Sequence, residues 1–219
     1  MRILITGAAG FLGSQLVRFI REEMPDASLI GVDNLSRKGA QYNIPLLEKL
    51  HVLFLKGDIT DKQFVESLER VDWVIDCAAE PSVLAGLGSD SFSIVNNNLI
   101  ATLYLLEKCK RDDAGFILPS TSRVYSIEAL NKLKLKVKEE CFIWDNSQKD
   151  TPSGFSQNGV SENFSTNAPI SVYGATKLAS EVMALEYHKT FGFPVWINRC
   201  GVIAGAGQFG KIDQGIFSF

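Results

Sequence analysis

A short apolar run, Ile3, Leu4 and Ile5, passes directly into three glycines spaced three residues apart, Gly7, Gly10 and Gly13. No other stretch of the 219 residues narrows so far what the chain can fold into. An unbroken apolar run is what a strand covered on both faces requires, and Phe11, Leu12, Leu16, Phe19 and Ile20 follow at helical spacing. The glycines therefore belong to a strand-to-helix turn. Each answers a steric demand: a tight turn at Gly7, close approach of a pyrophosphate to the backbone at Gly10, and close helix-to-strand packing at Gly13. The helix start offers unpaired N–H groups and a partial positive charge to phosphates, so no lysine is needed and a P-loop is not implied.

An acid completes the pattern. Asp33 closes the apolar run from Leu29 to Val32, about 20 residues beyond Gly13, where a carboxylate accepts from a ribose 2′-hydroxyl. Strand, glycine turn, helix and acid together point to a dinucleotide site. Asp33 would repel a 2′-phosphate, which favours NAD over NADP, although Arg37 and Lys38 in the polar loop after it would either hold such a phosphate or simply be solvated.

Apolar runs then alternate with helical patterns. Val52 to Lys56, Trp73 to Cys77, Phe116 to Leu118 and Pro194 to Arg199 read as further strands, and a long helix is expected around Asn98 to Arg111. This alternation gives an α/β fold, a doubly wound parallel sheet of the Rossmann type. Ligands collect at strand carboxyl ends in such sheets, which nominates Asp58 and Ile59 for the adenine and Ala78, Ala79 and Glu80 for the cofactor path. A turn and helix cap is the plainer reading of the Asp58 loop, and Asn98 either faces the site or caps its helix. From Ser126 to Pro169 the alternation breaks down, and a structureless loop of that length is unusual, so a functional insertion is expected. Within it Leu133, Leu135 and Val137 alternate with lysines, as in an exposed strand with one wet face.

Composition excludes several classes. With 46% hydrophobic residues the chain buries a sizeable core, and a net charge of −3 without a dense basic stripe argues against nucleic-acid binding. Cys77, Cys109, Cys141 and Cys200 are scattered, and His51 and His188 stand alone, so no metal site is expected. Reduced thiols and the lack of a signal-like or membrane-spanning segment suit a cytoplasmic protein.

The second constellation is Tyr173 and Lys177, four residues apart on one face of an apparent helix. A phenol with an ordinary pKa near 10 is a poor base at neutral pH, but a neighbouring ammonium favours the phenolate. Alone, such a pair often marks only a wet helix face. With the glycine turn and the hydroxyls after the fifth strand, it resembles the extended short-chain dehydrogenase/reductase family, specifically the NAD-dependent sugar-nucleotide epimerases and dehydratases. Thr6 to Gly13 matches that family's TGxxGFxG turn, Tyr173 to Lys177 its YxxxK, and Thr121 its hydroxyl three residues before a Val-Tyr pair.

The resemblance implies NAD as cofactor and a nucleotide-linked sugar as substrate. It makes Thr121, Tyr173 and Lys177 catalytic, with Tyr173 the acid/base and Lys177 also holding the nicotinamide ribose. It places Phe11, Leu12, Asn34, Ser36, Arg37 and Cys200 with the glycines at the cofactor, and Ser122, Arg123 and Gln208 at the substrate. Where dehydratases carry Asp-Glu after the threonine, this chain carries Ser122-Arg123, which removes the carboxylate that drives water loss. Asp33 to Arg37, Tyr125 to Leu130 and Arg199 to Gly210 look like the CDP-paratose 2-epimerase (CDP-tyvelose epimerase) group, implying epimerisation by transient hydride transfer and a homodimer or other homo-oligomer. A UDP-sugar 4-epimerase or sugar-nucleotide dehydrogenase is the alternative within the family, and an NAD-binding scaffold protein the alternative outside it. Residues 1–219 are expected to form one NAD-binding domain, with 126–169 an insertion near the active site and 200–219 the start of a substrate lobe cut short. That truncation would leave Ile216, Phe217 and Phe219 exposed and permit NAD binding without sugar turnover.

Overall fold

The computed structural model describes residues 1–82, 90–145 and 151–210. The expected exposure of Ile216, Phe217 and Phe219 lies outside the described residues. In chain order the first elements are β1 (Arg2–Thr6), α1 (Phe11–Glu23), β2 (Ser28–Asp33), α2 (Ile44–Lys49), β3 (Leu53–Lys56), α3 (Lys62–Ser67), β4 (Trp73–Asp76) and α4 (Phe92–Val95). They are followed by α5 (Ala101–Asp112), β5 (Gly115–Thr121), α6 (Ile127–Asn131), β6 (Leu135–Lys138), β7 (Cys141–Trp144), β8 (Phe155–Ser156), β9 (Gly159–Val160), α7 (Val172–Phe191) and β10 (Val195–Cys200).

Six strands form one sheet in the order β10-β5-β4-β1-β2-β3, and every pairing in it is parallel. The order changes direction at β1, between β4 and β2, so the carboxyl ends of β1 and β4 flank the switch point of a doubly wound sheet. Both faces are covered. One cluster joins Leu4, Val32, Val74, Leu105, Phe116 and Leu118, and the other joins Ile3, Ile5, Val17, Leu29, Leu47 and Ile75. Alternate residues of β1 thus enter opposite layers, which explains its unbroken apolar run.

The outer helices depart from their expected outlines in informative ways. Phe19 is exposed, and α1 buries Gly13, Ser14, Val17 and Ile20 instead, because the glycine and serine let the helix lie close on the sheet. The helix expected around Asn98 starts earlier: α4 runs through a π turn at Asn96–Ile100 into α5. A buried pair, Lys108 Nζ to Asp112 Oδ2 at 2.6 Å, staples the end of α5 to the backbone carbonyls of Leu68 and Glu69.

Described residues of the 126–169 segment are not a structureless loop. Phe164 is buried against Val124 and Tyr125, with Leu130, Leu133, Phe155 and Val160 around it, so the segment carries a small core of its own. The expected exposed strand is β6, paired antiparallel with β7, but it has two wet faces rather than one: Leu135 and Val137 are exposed along with the lysines.

Candidate active site

The glycine turn is built to the steric limits that its sequence suggested. Gly7 has φ +60°, and a Cβ on it would lie 2.9 Å from the backbone of Cys77 and Ala78 at the end of β4. A Cβ on Gly13 would sit 2.2 Å from the Gly7 carbonyl oxygen, so the first turn of α1 rests directly on the strand exit. Gly10 occupies the N-cap of α1 without a side-chain cap, and no acid lies in the first turn. The helix thus begins with N–H groups that no side chain satisfies, the arrangement that receives an anion.

Asp33 stands at the end of β2 beside this turn. Its Oδ2 accepts from Ala9 N at 3.1 Å and its Oδ1 from Leu35 N at 2.8 Å, which fixes the carboxylate while leaving lone pairs for a ribose hydroxyl. Burial pushes its pKa up, against those backbone hydrogen bonds. Asn34 donates to Asp58 Oδ2 at 3.0 Å and its Oδ1 accepts from Ser36 N, so these three residues form one rim. Asp58 also accepts from Thr60, while the helix cap is supplied by Asp61, which accepts from Gln63 N and Phe64 N. The Ile59 side chain packs in the core with Leu4 and Val32, leaving Asp58 as the side chain at the rim. Arg37 does not stand free for a 2′-phosphate: its Nη2 donates to the Phe209 carbonyl at 3.2 Å, whereas Lys38 is exposed.

That contact brings the last described segment back over the cofactor end. The Phe209 ring lies against Gly39, and Gly205 faces Phe11. Gln208 Oε1 is buried without a hydrogen-bond partner in the described structure, an acceptor suited to a polar ligand group. Phe11 and Leu12 are both half-buried at the start of α1.

Ala78 N donates to Thr6 Oγ1 at 3.1 Å, drawing the exit of β4 against β1; Ala79 is exposed just beyond it. Asn98 is not the cap of its helix, and its side chain engages the loop after β4. Its side chain accepts from Glu80 N at 2.8 Å, donates to Glu80 O at 3.1 Å and reaches Thr176 Oγ1 at 3.3 Å. Its backbone carbonyl accepts from Ser180 Oγ at 2.9 Å and lies in reach of the Thr102 hydroxyl, so one residue ties the Glu80 loop to α7.

Tyr173 and Lys177 lie buried on α7, whose N-cap Ser171 holds an unusual φ of +73° and accepts from Gly174 N. Gly174 packs on the Arg123 carbonyl, where a Cβ would come within 2.3 Å, so the tyrosine is seated directly against the turn after β5. Thr121 ends β5, caps the short Ser122–Val124 turn by accepting from Arg123 N, and its hydroxyl lies near enough to Tyr173 to ease ionisation of the phenol. Cys200 is in register with Thr121 across the β5–β10 pair. The expected easing of Tyr173 ionisation by Lys177 is not what dominates. Burial raises the phenol pKa, and the opposing influences come from the Thr121 hydrogen bond and the Arg123 guanidinium.

Several contributors carried no motif. Asn43 Nδ2 donates to Ala9 O at 2.9 Å and braces the glycine turn from the N-cap of α2. Glu181, one turn beyond Lys177, accepts from Arg199 Nε at 3.0 Å and Nη2 at 2.7 Å, and from the Ser120 hydroxyl. The i, i+4 spacing of Tyr173, Lys177 and Glu181 was the one available signal for the last of these. Among the described residues no cluster of ligating side chains holds a place for a metal, and no helix is long and apolar enough to cross a membrane.

A parallel switch-point sheet, an uncapped glycine turn and a Thr-Tyr-Lys set at the same strand ends define a nucleotide-cofactor enzyme site. Comparison with known proteins gives the family. The chain belongs to the NAD dependent epimerase/dehydratase family, whose model matches residues 3–218. It is 32% identical over 213 residues to a dTDP-D-glucose 4,6-dehydratase of Dictyostelium discoideum, covering 95% of this chain and 45% of that protein. It is also 32% identical over 225 residues to the CDP-paratose 2-epimerase of Salmonella typhi, covering 98% of this chain and 61% of the relative. The fold matches a Bacillus cereus UDP-glucuronic acid 4-epimerase in complex with NAD, with TM-score 0.70, 31% identity, and coverage of 94% of this chain and 57% of that one. The chain spans about half the length of the curated relatives it matches.

Proposed function

We propose that residues 1–219 form the NAD-binding part of an epimerase acting on a nucleotide-linked sugar, with a CDP-sugar inverted at C2 as the specific reaction. The observation that carries it is buried Tyr173 and Lys177 one turn apart on α7, with Gly174 seating the tyrosine against the turn after Thr121, at the same strand ends as the uncapped glycine turn. The residues suit NAD: open N–H groups and glycines for the pyrophosphate, Asp33 for the adenosine ribose, and Lys177 for the nicotinamide ribose. Bound there, NAD supplies a reversible hydride acceptor. Tyr173 takes the proton from the sugar hydroxyl and returns it, and Thr121 orients that hydroxyl.

Epimerase rather than dehydratase chemistry is supported by Ser122-Arg123, which supply no carboxylate directly after Thr121 and put a cation near Tyr173, although the Glu80 carboxylate also acts on that tyrosine. A UDP-sugar 4-epimerase stays the second reading, supported by the matches to solved 4-epimerases. In the same proposal 126–169 and the segment from 200 onward border the substrate side with Ser122, Arg123 and Gln208. The enzyme is then a cytoplasmic homo-oligomer, and Val182 and Leu185, left exposed by α7, support the association.

Calorimetry tests the cofactor: NAD should bind more tightly than NADP, and equal or tighter NADP binding overturns the role given to Asp33. Incubating the full-length protein with CDP- and dTDP-hexoses should invert a CDP-sugar and yield no 4-keto-6-deoxy product. Appearance of that product would reverse the assignment.

A further inference from the structure

Arg199, near the end of β10, carries a guanidinium that reaches three separate parts of the chain. Toward α7, its Nε and Nη2 donate to Glu181 Oε2 at 3.0 and 2.7 Å, and Nε also lies 3.2 Å from Oε1, which accepts from the Ser120 hydroxyl of β5. Toward the 126–169 insertion, its Nη1 donates to the backbone carbonyl of Glu162 at 2.9 Å. Its central carbon stands 5.3 Å from the centre of the Tyr125 ring, within cation–π reach. No step of the proposed reaction uses these contacts.

The carboxylate is the fixed end of the arrangement. The Glu181 side chain is 4% exposed and that of Arg199 18%, so the pair is largely out of water, and a fork-shaped cation with a hydroxyl satisfies the buried acid where it lies. The other two arms hold something less anchored. Tyr125 meets Phe164 of the insertion edge-on, with ring centres 5.9 Å apart, and Ser126 N donates to Ser165 O at 2.8 Å. The insertion is thereby joined to the turn that follows Thr121, the same turn whose Arg123 carbonyl seats Gly174 beside Tyr173. Through Glu181, one turn beyond Lys177, Arg199 fastens this unit to α7.

We propose that Arg199 is a positioning residue that clamps the insertion and the turn after β5 onto α7, so that the substrate-side border of the site is set through one guanidinium. It touches no substrate, and the inference rests on the reading that the insertion borders the substrate. The residue type follows from the geometry. Arginine offers donors on opposite edges of a flat group and a face for the tyrosine ring, whereas lysine presents a single nitrogen. In Arg199→Lys the buried carboxylate would take that nitrogen, and the Glu162 carbonyl would be released.

Amide hydrogen exchange tests the clamp without any ligand. Ser126, Ser161 and Phe164 donate their amides to Ser165 O, Gly154 O and Ser161 O and report on the insertion, and the amides of α7 serve as reference. Arg199→Lys should speed exchange at those three amides by about tenfold or more, with α7 and NAD affinity within about threefold of wild type. The double variant Arg199→Met, Glu181→Gln leaves no unpaired charge inside and should loosen the same three amides, so the result does not hang on one variant folding. Unchanged exchange there, or equal acceleration throughout α7, overturns the proposal. In the full-length protein Arg199→Lys should raise KM for a CDP-hexose about fivefold or more and leave kcat within about threefold. A KM that stays put while the insertion amides exchange faster overturns the positioning role. A wild type that turns over no CDP-hexose, with the local exchange effect present, would instead sink the functional reading and not the clamp.

Discussion

Tyr173 shows how far one residue's chemistry depends on what packs around it. Burial alone would make it a worse base than free tyrosine, and the Thr121 hydrogen bond with the Arg123 charge only partly offsets this. A group whose pKa is raised reaches its phenolate only at higher pH, so in the NAD-free protein Tyr173 should ionise above the ordinary range. A bound positive nicotinamide should move that ionisation down, a shift readable as phenolate absorbance lost in Tyr173→Phe. In the full-length enzyme Tyr173→Phe should cut turnover by roughly 10² to 10⁴ while leaving NAD affinity nearly unchanged, since the ring stays and only the proton-transfer group goes. A variant retaining more than about a tenth of the wild-type rate would remove Tyr173 from the acid/base role.

At the scale of elements, the contact between α1 and β1 is the least forgiving joint. A methyl at residue 13 would meet backbone atoms on two sides, the Gly7 oxygen at 2.2 Å and the Ala8 Cα at 2.8 Å, and neither can swing away as a side chain tip would. Gly13→Ala should therefore destabilise the chain by about 3 kcal/mol, the upper end of ordinary overpacking, and weaken NAD binding as the helix start is displaced. A denaturation midpoint unchanged from wild type would contradict the packing described. This joint was legible in the sequence because a glycine demanded by sterics leaves a visible spacing, and the parallel sheet was legible because doubly covered strands must be apolar throughout. What stayed hidden depends on partners far apart in the chain. Nothing local marks Asn43 as the brace of Ala9, Arg199 as the partner of Glu181, or Phe209 as the acceptor that engages Arg37. The two wet faces of β6 were equally invisible, since alternation shows which residues share a face and not whether anything covers it.

For the molecule as a whole, the proposed cofactor site gathers the carboxyl ends of β1, β2, β4, β5 and β10 and the starts of α1 and α7, elements spread from residue 2 to residue 200. A ligand held there bridges both layers of the sheet, and the unfolded chain has no counterpart of the site. Ligand binding must then stabilise the folded state by mass action, by about 2.7 kcal/mol at a hundredfold excess over Kd. For a chain of this size each kcal/mol moves the melting midpoint by about 2–4 °C, so saturating NAD should raise it by about 5–11 °C. NADP at equal concentration should raise it less, and Asp33→Ala should narrow the gap between the two, because the carboxylate that favours a free 2′-hydroxyl is gone. The prediction concerns the cofactor and needs no sugar, so it separates the binding function of these residues from the reaction proposed for the complete enzyme. A melting midpoint that does not move with millimolar NAD would show that the glycine turn, for all its steric fit, does not receive the dinucleotide.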